Sequence, residues 1–385
     1  MRAPTTRPVP VVALVAHDIH GHGGMERACA ELVGRACAEV DFVVIAANLA
    51  PELRPLVRRW VHVRVPPRPF PLKFVLFWLF AGRALRRVDA DLVQTVGAIV
   101  PNRVDIAVVQ HCHAGQRVAL GGFAPSTMSG LRRINTSIAR RMALLAERYC
   151  YTPSRVRALA ASNDGLAGEL KFHYPKVPIN IVPNGVGPEL MRPSAATREI
   201  KRAEFSVAAG TTVALFLGGD WHRKGLPLIL EALSLLEEDQ DLILWVVGQG
   251  NCAQMERVAD DLGVRHRIDF IGQVPEVLPF YQAADLFMLA SSYETFSIPC
   301  FEAAACGLPI IVTEVHGAAD LVRDGGGGIL VERTPESVAS ALGRLARSPE
   351  LRHQMGTEAR RRASAYTWQR SVDSMIELYH ELLTE

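Results

Sequence analysis

Short apolar runs alternate with longer mixed stretches along the first half of the chain. The short runs are rich in β-branched residues and predict strands over Val9–Ala16, Asp41–Ala47, Val61–Val65, Asp91–Val96, Ile106–Gln110, Val156–Ser162 and Asn180–Val186. The longer stretches predict helices, above all Met25–Ala38 and Ser126–Tyr149. Nearly continuous apolar strands separated by helices are typical of a parallel sheet that is covered on both faces.

The same alternation restarts in the second half. Strands are predicted over Val213–Leu217, Leu242–Val247, Ile268–Ile271, Leu286–Ala290 and Ile310–Thr313, and a helical stretch over Pro335–Leu383. A turn-rich stretch around Pro188–Pro193 separates the two series and serves as the linker.

We therefore expect an α/β protein of two doubly wound, Rossmann-like domains that face each other across a cleft, with the active site at the carboxyl ends of the strands. The predicted domains are residues 1–187 and 188–365, and residues 366–385 form a C-terminal helix that is free to cross back to the first domain.

Composition adds a charge asymmetry to this picture. Apolar residues make up 49% of the chain and charged residues 21%, which excludes a disordered protein. The net charge is only +2, but residues 1–180 hold 24 basic and 12 acidic side chains, whereas residues 181–385 hold 18 and 28. The basic first domain suits an anionic partner, and a chance distribution of arginines is the alternative.

The cysteines and the apolar runs indicate a cytoplasmic protein. The seven cysteines show no CxxC pair and no disulfide spacing, as expected for buried thiols in a reducing compartment. Val9–Ala16 faintly resembles a signal peptide, but it is short and leads into a glycine turn, which favours a first strand. The longest apolar run, Phe70–Ala81, covers only about half of a bilayer.

The most specific motif holds two carboxylates separated by seven residues, Glu294 and Glu302. Ser297 suits a helix N-cap and Pro299 a first turn, so Glu294 is predicted in a loop and Glu302 on the first turns of a helix. The amino end of such a helix suits a diphosphate, because its free N–H groups and dipole favour an anion. A capped helix with incidental surface glutamates is the alternative.

A second motif, Leu217-Gly-Gly-Asp-Trp-His-Arg-Lys-Gly225, follows a predicted strand. Its glycines let the backbone approach a ligand closely, and Arg223 and Lys224 are placed where cations reach phosphate oxygens. Fixed cations would stabilise the negative charge of a departing diphosphate without a metal ion. The alternative for such a pair is a solvated surface.

Two weaker motifs lie in the first half. Gly21–Arg27 (GHGGMER) repeats the strand, glycine turn and helix arrangement, and by itself it is compatible with a tight turn only. Gln110-His111-Cys112-His113 ends a predicted strand, so a histidine there would point into the cleft. A zinc site and a core histidine bonded to the backbone are the alternatives.

The run from Gly218 to Gly328 resembles the retaining glycosyltransferases of family 4, which have the GT-B fold. The matching stretches are GGDWHRKG, WVVGQG, FIGQV, YQAADLFMLASSYETFSIPCFEAAACGLPIIVT and DGGGGIL. The first domain matches more weakly, through GHGGMER, QHCHAG and IVPNGV. The resemblance implies a hexosyltransferase that uses a UDP-sugar or a GDP-mannose type of donor.

The resemblance also implies roles for particular residues. Arg223 and Lys224 would bind the donor phosphates, Glu302 the ribose, and Glu294 the transferred sugar. His113 would lie near that sugar, with His111 as second choice. The donor would further be contacted through Gly23, Gly24, Gly218, Gly219, Gly248, Gly250, Gln273, Val274, Phe296, Ser297 and Ile298. Many relatives have arginine where this chain has Gly219, a departure that leaves the number of phosphate-binding cations open.

The implied reaction needs neither a metal ion nor another cofactor. The acceptor would be a hydroxyl of a lipid-linked, polysaccharide or other glycan, as in the synthesis of cell-envelope polysaccharide, and nucleic acid is not expected as a partner. Within Leu53–Arg87, the run Phe74–Phe80 is flanked by Arg58-Arg59-Trp60 and by Arg83, Arg86 and Arg87. This pattern also suits a helix lying on the inner face of an anionic membrane, for which a core helix is the alternative. The rival functions are a nucleotide-sugar epimerase of GT-B fold and a non-catalytic subunit that binds a sugar nucleotide.

Overall fold

The structure, a computed structural model, describes residues 9–122, 130–187, 191–237 and 240–384, without the side chains of residues 131 and 132. The predicted start of a helix at Ser126 and the predicted domain boundary at residue 188 lie outside these ranges. The chain divides into two compact units: unit 1 comprises residues 1–185 and 368–385, and unit 2 comprises residues 186–367.

Unit 1 contains a parallel sheet and its covering helices. Its strands are β1 (Val11–Val15), β2 (Asp18–Ile19), β3 (Asp41–Ala46), β4 (Asn48–Leu49), β5 (Arg59–His62), β6 (Leu92–Val96), β7 (Val104–Val109), β8 (Val156–Ala161) and β9 (Ile179–Ile181). Its helices are α1 (Met25–Ala36), α2 (Phe70–Leu85), α3 (His113–Ala119), α4 (Gly130–Cys150) and α5 (Asp164–His173), together with the last helix of the chain, Trp368–Thr384. The sheet order is β5-β3-β1-β6-β7-β8-β9, and β2 pairs with β4.

Alternate residues of β1 pack on opposite faces of this sheet. Val12 and Leu14 join one core, which includes Tyr379 of the last helix. Ala13 and Val15 join the other core, which includes Phe77 of α2. Because both faces are buried, the strands carry apolar residues at nearly every position, and this explains why they are easy to find in the sequence.

Unit 2 has the second parallel sheet. Its strands are β10 (Thr212–Leu217), β11 (Leu242–Val247), β12 (Ile268–Gly272), β13 (Leu286–Leu289), β14 (Ile310–Thr313) and β15 (Gly328–Val331), in the order β12-β11-β10-β13-β14-β15. Its helices are α6 (Ala195–Glu204), α7 (Leu226–Ser234), α8 (Cys252–Asp261), α9 (Leu278–Ala283), α10 (Ile298–Ala305), α11 (Pro335–Arg347) and α12 (Pro349–Ala363), and the last helix of the chain is α13. Leu215 of β10 lies opposite Trp245 on one side and Phe287 on the other, and all three are buried.

Several sequence predictions differ from these bounds, among them the strand Val61–Val65, which is β5 over Arg59–His62. Strand β15 was not predicted, because a glycine-rich run precedes it; Gly328 has φ +155° and leaves no room for a Cβ atom beside Ile310. The predicted strand Asn180–Val186 ends at Ile181, shortly before Pro183. The predicted helical stretch Pro335–Leu383 is divided into α11, α12 and α13, and Ser348 caps the second of these before Pro349.

Helix α2 packs against the sheet on one side only. Phe74, Phe77 and Ala81 are buried in the core, whereas Leu79 and Phe80 are 55% and 49% exposed. Within the ranges that the structure describes, no helix combines the length and the apolar character that crossing a bilayer requires.

Candidate functional site

The candidate site of unit 2 lies where the strand order reverses. The sheet runs from β10 outward to β11 and β12 on one side, and through β13 to β14 and β15 on the other. Arg223 and Lys224 follow β10, and Glu294 follows β13. In parallel sheets the loops on either side of such a reversal diverge and leave a crevice at the carboxyl ends of the strands, which is where ligands bind.

Three donors converge on one oxygen of Glu294. Its Oε1 lies 2.8 Å from Nη1 of Arg223 and 3.3 Å from Nζ of Lys224. The hydroxyl of Ser291 donates to the same oxygen over 3.0 Å. The structure therefore brings together the cations of one predicted motif and the first glutamate of the other.

The two cations hold Glu294 in its charged form. Burial alone would raise the pKa of the carboxyl, but Lys224, Arg223 and the hydrogen bond from Ser291 outweigh it and hold the pKa below its ordinary value. Arg223 is fixed further by Asp220, whose Oδ2 lies 3.1 Å from its Nε, and by the carbonyl of Tyr293 at 2.6 Å. The cluster is thus preorganised, and the carboxylates of Glu294 and Asp220 balance its two cations.

Two glycines allow the loop after β10 to take this shape. Gly218 has φ +142°, and a Cβ atom there would lie 2.6 Å from Cε of Lys224, so the lysine stem passes directly over the glycine. Gly225 has φ +83°, and a Cβ atom there would lie 2.1 Å from the carbonyl oxygen of Ala290. Both positions therefore require glycine, for close approach as well as for backbone conformation.

Helix α10 begins differently from the prediction. Ser297 occupies the N-cap position, but it has a left-handed φ of +67° and its side chain caps no N–H group. The hydroxyl instead donates to Sγ of Cys300 over 3.3 Å, so the prediction of a serine side-chain cap was wrong. Pro299 lies in the first turn as predicted. The side chain of Ser297 therefore does not cap the first turn, and N–H groups at such a helix end favour an anion.

Glu302 lies inside α10 and is only 4% exposed. Its Oε2 accepts a hydrogen bond from the hydroxyl of Tyr281 over 3.0 Å. Phe296 lies just before the helix and stacks on Phe301, with 4.2 Å between the ring centroids. Gly317 approaches the backbone of Phe296 so closely that a Cβ atom there would lie 2.7 Å from its carbonyl oxygen. Contacts of Phe296, Ile298 and Glu302 with a donor stay predictions.

The loops that follow β10 and β11 are packed on each other. A Cβ atom on Gly248 would lie 2.4 Å from the carbonyl oxygen of Gly218, and one on Gly250 would lie 2.1 Å from the indole of Trp221. That indole donates from Nε1 to the carbonyl of Gly218 over 2.9 Å. Gly219 lies in the same loop, and a Cβ atom there would lie 3.5 Å from the carbonyl oxygen of Gln249.

Gln273 and Val274 follow β12 at the same edge of the sheet. The N–H of Gly248 donates to the carbonyl of Gly272 over 2.7 Å, which ties the loop after β11 to the residue before Gln273. Gln273 is exposed and Val274 half-buried. The residues predicted to flank a nucleotide base therefore lie on adjacent strand ends.

The candidate residues of unit 1 lie at the starts of two helices, α1 and α3. Gly23 has φ +81° and Gly24 is the N-cap residue of α1, so the predicted strand, glycine turn and helix arrangement is present. His113 is the first residue of α3 and is half-buried. Its ring centroid lies 4.6 Å from that of His111.

The environment of His113 keeps the imidazole neutral. Burial, together with the charges of His111 and Arg140, lowers the pKa of His113 to about 3. Its Nδ1 is buried and has no hydrogen-bond partner among the residues that the structure describes. No group of three or more His, Cys, Asp or Glu side chains in those same ranges has the arrangement to hold a metal ion.

Sequence reasoning missed three residues that build these sites. Ser291 donates to Glu294, Trp221 supports the loop after β11, and Glu147 accepts the N–H of His113 over 2.8 Å. Trp221 stands within a recognised motif, and Ser291 marks a strand end. Glu147 lies far from any motif, on α4, and gives no signal in the sequence.

Comparison with known proteins places both units in described families. Residues 22–190 match the family Glycosyltransferase Family 4, and residues 197–362 match Glycosyl transferases group 1. The D-inositol 3-phosphate glycosyltransferase of Geodermatophilus obscurus is 33% identical over 237 residues, which are 57% of this chain and 52% of that protein. The chain thus spans about half the length of the curated relatives it matches.

Solved structures share the whole architecture at low sequence identity. WaaG, a glycosyltransferase involved in lipopolysaccharide biosynthesis, has a TM-score of 0.78 and 22% identity, and the match covers 94% of this chain and 98% of that one. Anabaena HepE, solved in complex with UDP-glucose, has a TM-score of 0.73 and 15% identity, with 97% and 100% covered. These similarities establish the fold.

Proposed function

Because the chain belongs to the family 4 glycosyltransferases and has the GT-B fold, we propose that it moves a hexose from a nucleotide-diphosphate sugar to an acceptor hydroxyl. One observation carries this proposal: Arg223 and Lys224 converge at the reversal of the sheet. A diphosphate that leaves the sugar gains negative charge, and two fixed cations beside an uncapped helix end would stabilise it.

The proposed transfer retains the anomeric configuration and uses no metal ion. Glu294 is a poor base, because its two cationic neighbours hold its pKa low and its Oε1 is bonded to them. We therefore assign proton acceptance to a phosphate oxygen of the departing diphosphate, with the acceptor attacking from the face that the diphosphate occupies. The charge that a metal ion would neutralise is met by Arg223 and Lys224.

His113 suits a contact with the transferred sugar. A neutral imidazole offers a hydrogen bond to a sugar hydroxyl without bringing a charge. Glu302 and the loops after β11 and β12 would hold the ribose and the base. UDP-sugars are the first donors to test, because the fold neighbour HepE was solved with UDP-glucose, and GDP-mannose is the second.

The test is a panel of UDP-, GDP- and ADP-sugars incubated with a mixture of glycan and lipid-linked acceptors and with D-inositol 3-phosphate, the acceptor named for the curated relatives. We expect release of the nucleoside diphosphate and a product whose anomeric coupling in NMR matches that of the donor. Inverted product would contradict retention. Conversion of the donor into its epimer would favour an epimerase, and binding without turnover would favour a non-catalytic subunit.

The acceptor is proposed to be reached at the inner face of an anionic membrane. Helix α2 exposes a row of apolar side chains beside Arg83, Arg86 and Arg87; the row consists of Phe70, Leu72, Val75, Leu79 and Phe80, all more than 40% exposed. Apolar side chains that enter the headgroup region next to arginines suit a peripheral helix on an anionic surface. Burial of Phe77 on the opposite face shows that α2 is a core helix too.

Sedimentation with vesicles of anionic and of neutral lipid tests this location. We expect binding to anionic vesicles at low salt, and its loss in the double variant Leu79→Ser, Phe80→Ser. Ile200→Ser in unit 2 is the matched control, since Ile200 is 70% exposed and lies outside α2. Equal sedimentation of the double variant and the parent would contradict a membrane role for α2.

A further inference from the structure

Helix α4 places a buried carboxylate at the start of α3. Glu147 is 1% exposed, and it accepts the N–H of His113 over 2.8 Å and that of Ala114 over 3.2 Å. The first N–H groups of a helix have no partner within the helix, and an anion is favoured beside them. The Sγ of the N-cap residue, Cys112, accepts the N–H of Gly115 over 3.4 Å. The carboxylate of Glu147, which belongs to α4, therefore caps the amino end of α3.

We propose that Glu147 is a positioning residue for sugar transfer: by binding the first two N–H groups of α3, it fixes where the imidazole of His113 lies. The inference rests on the function proposed above for His113. The contacts themselves do not depend on it. A Glu147 side chain that merely filled space would not need to meet both N–H groups, and an apolar residue of similar volume would serve there equally well.

The third contact fixes the carboxylate from its other side. The hydroxyl of Tyr174, the residue directly after α5, donates to Oε2 of Glu147 over 3.0 Å. The same oxygen accepts from Ala114, whereas Oε1 accepts from His113. Because all three hydrogen bonds are donated to the carboxyl, the ionised form, which only accepts, satisfies them best. Protonation would turn one of the oxygens into a donor facing another donor.

The surroundings bring this protonation close to neutral pH. Burial raises the pKa of Glu147 to about 7, against the lowering effect of its three hydrogen bonds. The titratable groups around it are Cys112 and His113 at the start of α3, Glu169 of α5 and Tyr174 just after it, and Tyr151 beyond the end of α4, with Arg140 and Arg148 of α4 nearby. The hydrogen bonds from the first N–H groups of α3 to Glu147 should therefore weaken as the pH falls through about 7.

The amide resonances of His113 and Ala114 report this contact directly. In the full chain, we expect both resonances to titrate with a midpoint near pH 7, because ionisation of the carboxylate strengthens its bonds to both N–H groups. In Glu147→Gln the titration should vanish while the rest of the spectrum is retained. Glu39→Gln, which changes an exposed glutamate of unit 1, is the matched control.

Steady-state kinetics test whether the contact matters for transfer. We expect kcat/KM to fall below a midpoint near pH 7, and Glu147→Gln to remove this limb and lower kcat by about 10- to 100-fold with little change in donor KM. Tyr174→Phe should move the limb to higher pH, since it removes a hydrogen bond that lowers the pKa. Glu169→Gln should move it to lower pH, since the charge of Glu169 raises that pKa.

The outcomes separate this inference from the proposed function. Transfer by the parent protein with a pH profile that is the same in Glu147→Gln would overturn the inference and leave the function standing. Amide resonances of His113 and Ala114 that do not titrate between pH 5 and 9 would overturn it as well. A parent protein that transfers no sugar from any donor would refute the function, and the role of Glu147 in transfer would fall with it.

Discussion

The Nζ of Lys224 lies 3.3 Å from Oε1 of Glu294, although the two residues follow different strands, β10 and β13. The contact joins the cationic loop to the first glutamate of the two-carboxylate motif at the reversal of the sheet. It means that the two groups act as one unit: the glutamate sets the position of the cations, and the cations set the charge of the glutamate.

Removing either cation should slow transfer more than it weakens binding. Lys224→Ala and Arg223→Ala are each expected to lower kcat by about 100-fold, because their attraction for the diphosphate grows as it leaves. Steady-state kinetics with the active donor provide the measurement. Arg361→Ala is the control, since Arg361 is 70% exposed and pairs with Glu358 on the same helix. Unchanged kcat in both variants would contradict the proposed role.

Removing the glutamate should have opposite effects on binding and on turnover. In Glu294→Gln the two cations lose the carboxylate that they share, although Arg223 keeps Asp220, so the free nucleoside diphosphate should bind about fivefold more tightly, as about 1 kcal/mol of attraction implies. Transfer should slow, because the cations are no longer held in place. Calorimetric titration with the diphosphate and kinetics with the donor check the two parts. Weaker binding of the diphosphate would refute this account.

The same residue should contribute to stability near neutral pH and lose that contribution in acid. The pKa of Glu294 is lower in the folded protein than its ordinary value near 4.5, so the unfolded chain binds a proton more readily. Its contribution to the free energy of unfolding is present above pH 4.5 and lost as the pH falls through the lower, folded pKa. Urea unfolding of the parent and of Glu294→Gln from pH 3 to 6 should show curves that converge towards the acid end.

Glu147 should show the reverse dependence. Its folded pKa, about 7, exceeds the ordinary value of 4.5, so the folded chain holds a proton that the unfolded chain has lost. Stability should therefore decrease as the pH rises from about 4.5 to about 7, by on the order of 3 kcal/mol. Glu147→Gln should remove this decrease, as measured by urea unfolding. A parent protein and variant with parallel curves over this range would contradict it.

A side chain at position 225 should be far more costly than one at another left-handed glycine. Gly225→Ala would place a Cβ atom 2.1 Å from the carbonyl oxygen of Ala290, whereas Gly263, with a similar φ of +72°, has nothing within 4 Å. Gly263→Ala should cost about 1 kcal/mol, from the backbone alone. Gly225→Ala should cost at least about 2 kcal/mol more, because backbone must move. Calorimetric unfolding compares the stabilities of the two variants. Equal losses of stability would contradict this prediction and show that the loop rearranges without cost.

The sequence alone determined the two-unit α/β architecture and most of the strands. A strand buried on both faces is apolar at nearly every position, whereas the helices between strands are amphipathic. The change from one pattern to the other can therefore be recognised within a few residues of sequence. The two motifs of unit 2 were readable for the same reason: glycines, a cation pair and spaced carboxylates follow predicted strands directly. Strand β15 was not predicted, because the glycine-rich run that leads into it lacks the apolar pattern of a buried strand.

Tertiary structure alone decided which of these groups meet. The order of strands in a parallel sheet is set by crossovers that local pattern does not encode, so only the fold shows that β10 and β13 are neighbours and that Glu294 receives Arg223, Lys224 and Ser291. The fold also placed Glu147 of α4 at the start of α3. Residues distant in sequence bury Glu147, and this burial raises the pKa of its carboxyl. Only the fold therefore makes this glutamate a candidate for positioning His113.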